Sequence, residues 1–425
     1  MSILIKKVRL HNDVVDVLIE GTRFAAIGTD VDAHAATHID GTGLALLPSF
    51  HNAHTHAAMT LLRGYADDMP LHVWLSEHIW PFEAKLTEDD VYWGSKLACL
   101  EMIKSGTTFF ADMYWHWRGT ARAVEEMGLR AALSAAFFDF NDPDRAEPMK
   151  QQVMDLHAAS AACSDRIQFM LGPHAIYTVS GESLRWLAEY ARRHGLLIHM
   201  HLSETTKEVD DCLREHGVRP VEYLHSLGLL GPDLILAHAV WMTDAEMALL
   251  AQHGVRVVHC PSSNMKLASG QFQYAQMHRH GIAVGLGTDG CCSNNSLDMF
   301  GEMKMASLLA KVTAMDSTVL PAAETLGMAS RAGAQMYGLD SGSIATGMYA
   351  DCILVTLDHV QMTPLHSLTS HAVYSATGAC VDTTICNGRV LMRHGVVEGE
   401  QEIINQARAA VTRRTAAIQD KTSCS

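Results

Sequence analysis

Leu47-Pro48-Ser49-Phe50-His51-Asn52-Ala53-His54-Thr55-His56 is an apolar run that ends in two histidines one residue apart. Residues two apart in a strand point the same way, so in extended chain His54 and His56 aim their imidazoles at one place. Two convergent imidazoles are half of a metal site. A chain with 25 histidines will also contain such pairs by chance on its surface, so the reading depends on whether further ligands fall where a fold would deliver them.

Working outward, strands alternate with helices. After a first strand at Ala45–His56 come apolar strand candidates at Thr108–Met113, Ala131–Phe138, Ile167–His174, Leu196–Leu202, Leu234–Ala239, Val255–Cys260 and Ile282–Gly287. Helical periodicity separates most of them, at Asp89–Lys104, Thr120–Gly128, Glu182–Arg193 and Asp244–His253. Eight such units imply right-handed parallel crossovers and an α/β fold, a closed (β/α)8 TIM barrel whose chemistry sits at the C-terminal ends of its strands.

Those ends carry His54 and His56, Gly172-Pro173-His174, His199-Met200-His201-Leu202-Ser203-Glu204, Ala237-His238-Ala239, His259-Cys260 and Gly287-Thr288-Asp289-Gly290. One histidine ending an apolar strand is ordinarily a structural residue with its own partner. Six strand ends, each with a His or Asp, would each need a separate buried partner; a metal ion supplies a shared one. Imidazoles with one carboxylate suit Zn2+, with Fe2+ or Mn2+ as substitutes, and an open position makes such a site catalytic. His54, His56, His201 and Asp289 are the expected ligands. An ion there would bring the pKa of a bound water to about 7. Glu204, three residues past His201, is placed to move protons, and His238 to hold the attacking water.

The ends of the chain read differently. Residues 1–49 form short strands with a turn at Glu20-Gly21-Thr22, and residues 341–400 supply further strands with a turn at Asn387-Gly388. Neither piece folds alone, so the expected organisation is a composite β-sandwich domain from 1–49 plus 341–400, a barrel over 50–340, and a C-terminal helix and tail over 401–425. The 425 residues carry a formal net charge of −15 and no Lys/Arg-rich run, which argues against nucleic acid as a partner. Nothing reads as a signal peptide or a membrane span. Ten cysteines without a CxxC pair read as reduced thiols in a cytoplasmic protein; Cys291-Cys292 stand out only by lying beside Asp289.

His54-Thr55-His56, His201 with Glu204, His238 and Gly287-Thr288-Asp289-Gly290 resemble, in order and spacing, the mononuclear deaminase branch of the amidohydrolase superfamily, over nearly the whole chain. Binuclear members carry a bridging lysine where this chain has Gly172-Pro173-His174, so the resemblance implies one metal ion per subunit. Met59-Thr60-Leu61-Leu62-Arg63-Gly64, Pro261-Ser262-Ser263-Asn264-Met265-Lys266-Leu267 and Ser293-Asn294-Asn295-Ser296-Leu297 resemble more closely the 5'-methylthioadenosine/S-adenosylhomocysteine deaminases. That likeness implies that Trp74 covers the ligand, Glu83 binds the ribose hydroxyls, and His174 and Ser293 line the pocket. Ala57 to Glu83 would be a loop closing over the substrate. Some relatives active on S-adenosylhomocysteine carry an arginine late in the third strand that pairs with the amino-acid carboxylate. Leu133-Ser134-Ala135-Ala136 has none, leaving Arg145 as its stand-in and favouring a small 5' group.

The reaction implied is hydrolytic deamination of an adenosine-type nucleoside, with Glu204 carrying the proton and His238 and Asp289 steadying the incoming oxygen. Cysteine-ligated zinc deaminases are excluded by the missing Pro-Cys-x-x-Cys. Gly285-Leu286-Gly287-Thr288-Asp289-Gly290 also fits G-x-G-x-x-G, but on the last strand and with no phosphate-binding helix after it. Two rivals stand: an aminohydrolase of a free guanine, pterin or s-triazine ring, and a non-enzymatic scaffold, against which the complete ligand set argues. The oligomeric state is left open, a homo-oligomer included.

Overall fold

The computed structural model describes residues 2–422. Strands β1 (Ser2–Leu10), β2 (Asp13–Glu20), β3 (Arg23–Gly28), β4 (Thr37–Asp40) and β5 (Leu44–Pro48) join three late strands in a mixed sheet. The late strands are β14 (Cys352–Thr356), β15 (Val381–Cys386) and β16 (Arg389–Met392), and the order is β16-β15-β14-β5-β1-β2-β3, with β4 on β1. Between them β6 (Phe50–Thr55), β7 (Thr107–Tyr114), β8 (Arg130–Phe137), β9 (Ile167–Pro173), β10 (Ile198–Leu202), β11 (Leu234–His238), β12 (Arg256–His259) and β13 (Val284–Leu286) pair in sequence order, all parallel. This is the (β/α)8 barrel with a β layer built from both ends of the chain.

The sequence run Ala45–His56 is not one strand. Leu44–Pro48 pairs antiparallel with β14, whereas Phe50–Thr55 pairs in parallel with β7. The chain crosses from one sheet to the other at Ser49, whose N–H donates to the Asp351 carbonyl while that of Phe50 donates to Gly106. Both halves are extended and largely buried, and no glycine or charged residue separates them, so the sequence does not mark the break. Beneath the crossing, buried Arg130 pairs with Asp351 at 2.9 Å and bonds Asn387 at 2.5 Å, tying the barrel foot to the β layer.

The barrel closes where β13 meets β6: Asp289 N–H donates to the His54 carbonyl at 3.0 Å. A Cβ on Gly287 would lie 2.8 Å from that carbonyl oxygen, so only glycine permits the approach. The G-x-G-x-x-G decoy is thus a packing device, and the next helix begins only at Met299. Residues 357–380 leave the β layer, and their helix Leu368–Tyr374 packs on the barrel helices Met299–Ala314 and Ala322–Gly327.

The segment from Ala57 to Glu83 is helical rather than an open loop, with turns at Ala57–Leu62 and Leu71–Glu83. Ala58, Leu62, Trp74, Ile79 and Phe82 bury together against Ala407 and Ala410 of the last helix, Glu400–Thr422. Arg414 of that helix meets the buried carboxylate of Asp90 at 2.6 Å. The C-terminal helix therefore braces the roof of the barrel mouth; residues 423–425 of the expected tail lie outside the described residues.

Candidate active site

β6 carries His54 and His56 to the rim, and β10 carries His201. Each imidazole is held by Nδ1: His54 Nδ1 lies 2.9 Å from His199 Nε2, His56 Nδ1 2.6 Å from the Met113 carbonyl, and His201 Nδ1 2.9 Å from the His174 carbonyl. An imidazole that donates from Nδ1 keeps a lone pair at Nε2. Asp289 Oδ1 faces the same space, 3.3 Å from His54 Nε2 and 3.2 Å from His56 Nε2. His54 Nε2 is buried with no hydrogen-bond donor to meet it.

Lone pairs and a carboxylate that converge in a buried space repel one another unless a cation joins them. Ligand atoms of His54, His56 and Asp289, and of His54, His201 and His238, lie within 4.8 Å of each other, sharing His54. The donor set fits one divalent metal ion. Burial holds His54 down to about 4 and His201 well below the usual histidine range. For His56 burial works in the same direction, but the Asp289 carboxylate outweighs it and lifts the ring to about 9. Burial opposes the charge on Asp289 too, yet the two facing imidazoles keep it well below the ordinary carboxylate range. Its other oxygen accepts from Ser263 and Ser293 at 2.6 and 3.0 Å, which fixes the face turned to the histidines.

Behind His54 a relay runs into the barrel. His199 Nδ1 is 3.2 Å from the Tyr337 hydroxyl, which donates to the Ala53 carbonyl at 2.7 Å. Tyr337 fixes the tautomer of His199, and His199 that of His54. Sequence reading missed this chain: His199 was visible as the first member of His199-Met200-His201, but Tyr337 comes from beyond the last barrel strand.

Glu204 follows β10. Its Oε1 accepts from Ser269 at 3.0 Å, and its Oε2 stands 3.8 Å from His238 Nε2. His238 Nδ1 is held by Asn264 Oδ1 at 2.8 Å. Burial disfavours the imidazolium of His238, but the charges of Glu204 and Asp289 raise its pKa above the ordinary value, and its Nε2 faces Glu204.

A cleft opens over these groups. Trp74, Glu83, His174, Ser293, Glu204, His238 and Asp289 all line it, with Trp80, Trp115, Ala136 and Phe138. Glu83 is buried, and burial raises its pKa. One of its oxygens accepts from Trp115 Nε1 at 3.3 Å, while Oε1 has no partner among the described residues. Trp115 stacks on Phe138 at 4.6 Å, and Phe138 on His174 at 4.5 Å, making an aromatic wall beside Glu83. Trp74 is fixed by its Nε1 donating to the Ala66 carbonyl at 3.0 Å. The structure corrects Arg145: it pairs with Asp142 at 3.4 Å, its side chain is exposed, and it is absent from the cleft wall. Cys291 and Cys292 are buried and burial pushes both thiols up, so they serve as packing groups.

Residues 45–391 match the family model described as "Amidohydrolase family". A 5'-deoxyadenosine deaminase from Methanoregula boonei is 47% identical over 419 residues, covering 97% of this chain and 95% of that one. A 5-methylthioadenosine/S-adenosylhomocysteine deaminase from Archaeoglobus fulgidus is 47% identical over 402 residues, covering 93% and 94%. Among solved structures, an adenosine deaminase from Xanthomonas campestris with bound zinc superposes with a TM-score of 0.92 at 34% identity, covering 98% of each chain.

Proposed function

From the premise that this chain belongs to the amidohydrolase family, we propose that it deaminates adenosine-type nucleosides by hydrolysis, giving the inosine analogue and ammonia. His54, His56, His201 and Asp289 would hold one ion per subunit, Zn2+ first, as in the similar Xanthomonas structure, with Fe2+ or Mn2+ as substitutes. Bound there, the ion supplies a water acidic enough to attack at neutral pH.

The protein's own groups do the rest. The carboxylate of Glu204 takes the proton of the attacking water and passes it to ring nitrogen N1, so that C6 gives up its aromatic bonding as oxygen adds. His238, protonated at Nε2, would face the incoming oxygen and oppose its negative charge. Glu204 then takes the remaining proton of the hydroxyl added at C6 and gives it to the amino group, which departs as ammonia and leaves a ring carbonyl. Ser269 and Asn264 hold the two side chains in register.

The observation that carries the nucleoside reading is the unpartnered buried Oε1 of Glu83, which suits a pair of ribose hydroxyls. The 5' group is read from charge. No Lys or Arg lines the cleft, which holds three carboxylates and an aromatic wall. The carboxylate of a homocysteine tail would be desolvated there without a Lys or Arg partner. Hydrogen, hydroxyl or methylthio at the 5' carbon is therefore preferred over homocysteine, although one similar protein is named for methylthioadenosine and S-adenosylhomocysteine together and another for 5'-deoxyadenosine. We place the enzyme in the cytoplasm, a setting that suits nine unpaired thiols among the described residues.

The test is a deamination screen, following the adenine-to-hypoxanthine absorbance change, across adenosine, 5'-deoxyadenosine, methylthioadenosine, S-adenosylhomocysteine and free adenine, guanine and pterin. Turnover of the neutral nucleosides is expected. Turnover of free bases alone would replace this reading with that of a free-ring aminohydrolase.

A further inference from the structure

Ser203, between the metal-site histidine and Glu204, has φ of +52°. A non-glycine residue holds that left-handed conformation only where its surroundings enforce it. The enforcement comes from one side chain. Glu208 Oε1 accepts the N–H of Ser203 at 2.8 Å, and Glu208 Oε2 accepts the N–H of Glu204 at 2.9 Å. On the opposite side the Ser203 carbonyl accepts from the N–H groups of Val240 and Trp241, both at 3.0 Å, two and three residues past His238. The peptide that carries Glu204 is thus gripped through its donors by Glu208 and through its acceptor by the loop that carries His238.

Glu208 is itself well placed to grip. It lies in the first turn of the helix Thr206–His216, where its own N–H is capped by the Thr205 hydroxyl at 3.2 Å. It is buried and makes no salt bridge among the described residues; the adjacent Lys207 pairs instead with Asp211. Burial pushes its carboxyl up to about 7, against the pull of the two N–H groups. A carboxylate kept in so unfavourable a setting, with two consecutive main-chain amides as its only hydrogen-bond partners, is costly for mere stability.

We propose that Glu208 is a positioning residue for the reaction: its carboxylate sets the left-handed turn at Ser203 and so aims Glu204 at the substrate ring and at His238. Glu208 touches neither substrate nor metal. It acts by holding the peptide from which the proton carrier projects, and small displacements of such a group are costly to rate. This inference rests on Glu204 being the proton carrier.

The test compares Glu208→Gln, Glu204→Gln and the double variant. Glutamine keeps the volume of Glu208 but turns an NH2 toward one of the two amides, so one bond becomes a donor–donor conflict. Expected for Glu208→Gln are a kcat lower by about 10- to 100-fold, KM and the affinity for the inosine product within about threefold of the parent, and unchanged metal content. In the Glu204→Gln background, where no aimed carboxylate remains, adding Glu208→Gln should leave the residual rate unchanged. A near-normal kcat for Glu208→Gln beside an inactive Glu204→Gln would overturn this inference alone. So would a loss that multiplies in the double variant, the mark of general loosening. A near-normal Glu204→Gln would overturn the proposed function's proton carrier instead. Should Glu208→Gln not fold, Glu208→Asp keeps the charge, withdraws both oxygens by one methylene and carries the same expectations.

Discussion

Replacing Glu83 by glutamine separates recognition of a sugar from recognition of a ring. Gln is isosteric, so its carbonyl oxygen can still accept from Trp115, now 3.3 Å from the carboxylate. What is lost is the charge at Oε1, which has no donor within hydrogen-bond distance among the described residues, although the Tyr114 hydroxyl lies close enough to lower the Glu83 pKa. A charge-assisted hydrogen bond is worth about 1.5–3 kcal/mol against about 0.5–1.5 for a neutral one, so two ribose hydroxyls lose about 2–3 kcal/mol together. At about 1.4 kcal/mol per decade this is a roughly 30- to 150-fold fall in kcat/KM on adenosine. The assay pairs parent and variant with adenosine and with 2',3'-dideoxyadenosine, which has nothing to offer Glu83. The variant should lose on the first substrate and almost nothing on the second. An equal loss on both would show that Glu83 holds the wall rather than the ribose, and the nucleoside reading would lose its main support.

Glu204→Gln should lower kcat by about 10²- to 10⁴-fold with metal content unchanged, since Glu204 is outside the ligand set; a rate within tenfold of the parent would refute its role. Tyr337→Phe removes the hydroxyl 3.2 Å from His199 Nδ1 and should weaken metal retention by about 10- to 100-fold in a chelator competition, where unchanged retention would dismiss the relay. Burial lifts Glu302 to about 7, although Ser262 and Asn294 donate to it. The folded chain then binds more protons than the unfolded one from about pH 4.5 to 7, so this group's contribution falls as pH rises through that window. Glu302→Gln should therefore gain stability relative to the parent between pH 5 and pH 8, read as a difference in Tm; a gap independent of pH would contradict the shift.

The barrel was legible because its eight strands are largely buried on both faces and six of them end in a His or Asp, a combination that few other folds require. That His54, His56, His201, Glu204, His238 and Asp289 come together at one rim followed from position alone. The crossing at Ser49 did not, because β5 and β6 are both buried strands with no glycine or charged residue between them and differ in which sheet their amides serve. Arg145 failed for a related reason: its place depends on the path of a loop, and the left-handed backbone at Phe140 and Asn141 precedes a helix that begins at Pro143 with Arg145 turned out toward Asp142. Glu208 and Tyr337 were illegible because what they do is to hold another residue's backbone or tautomer, which leaves no trace in spacing.

Chemistry and recognition are divided between parts of different rigidity. The ligand set projects from barrel strands, and its Nδ1 atoms are locked by main-chain carbonyls or by the His199–Tyr337 relay. Glu83 and Trp74 instead come from the helical roof, whose burial depends on Ala407 and Ala410 of the last helix and on the Arg414–Asp90 pair. The aromatic wall comes from a third place, the ends of β7 and β8. A substitution in the roof can therefore alter which nucleoside is held without disturbing the metal ligands, whereas one in the relay reaches the ligands without touching the cleft. Since no Lys or Arg lines the cleft, Ala136, which lines it among aromatic neighbours, is the position where a basic side chain would change the accepted substrate while leaving the deamination chemistry intact.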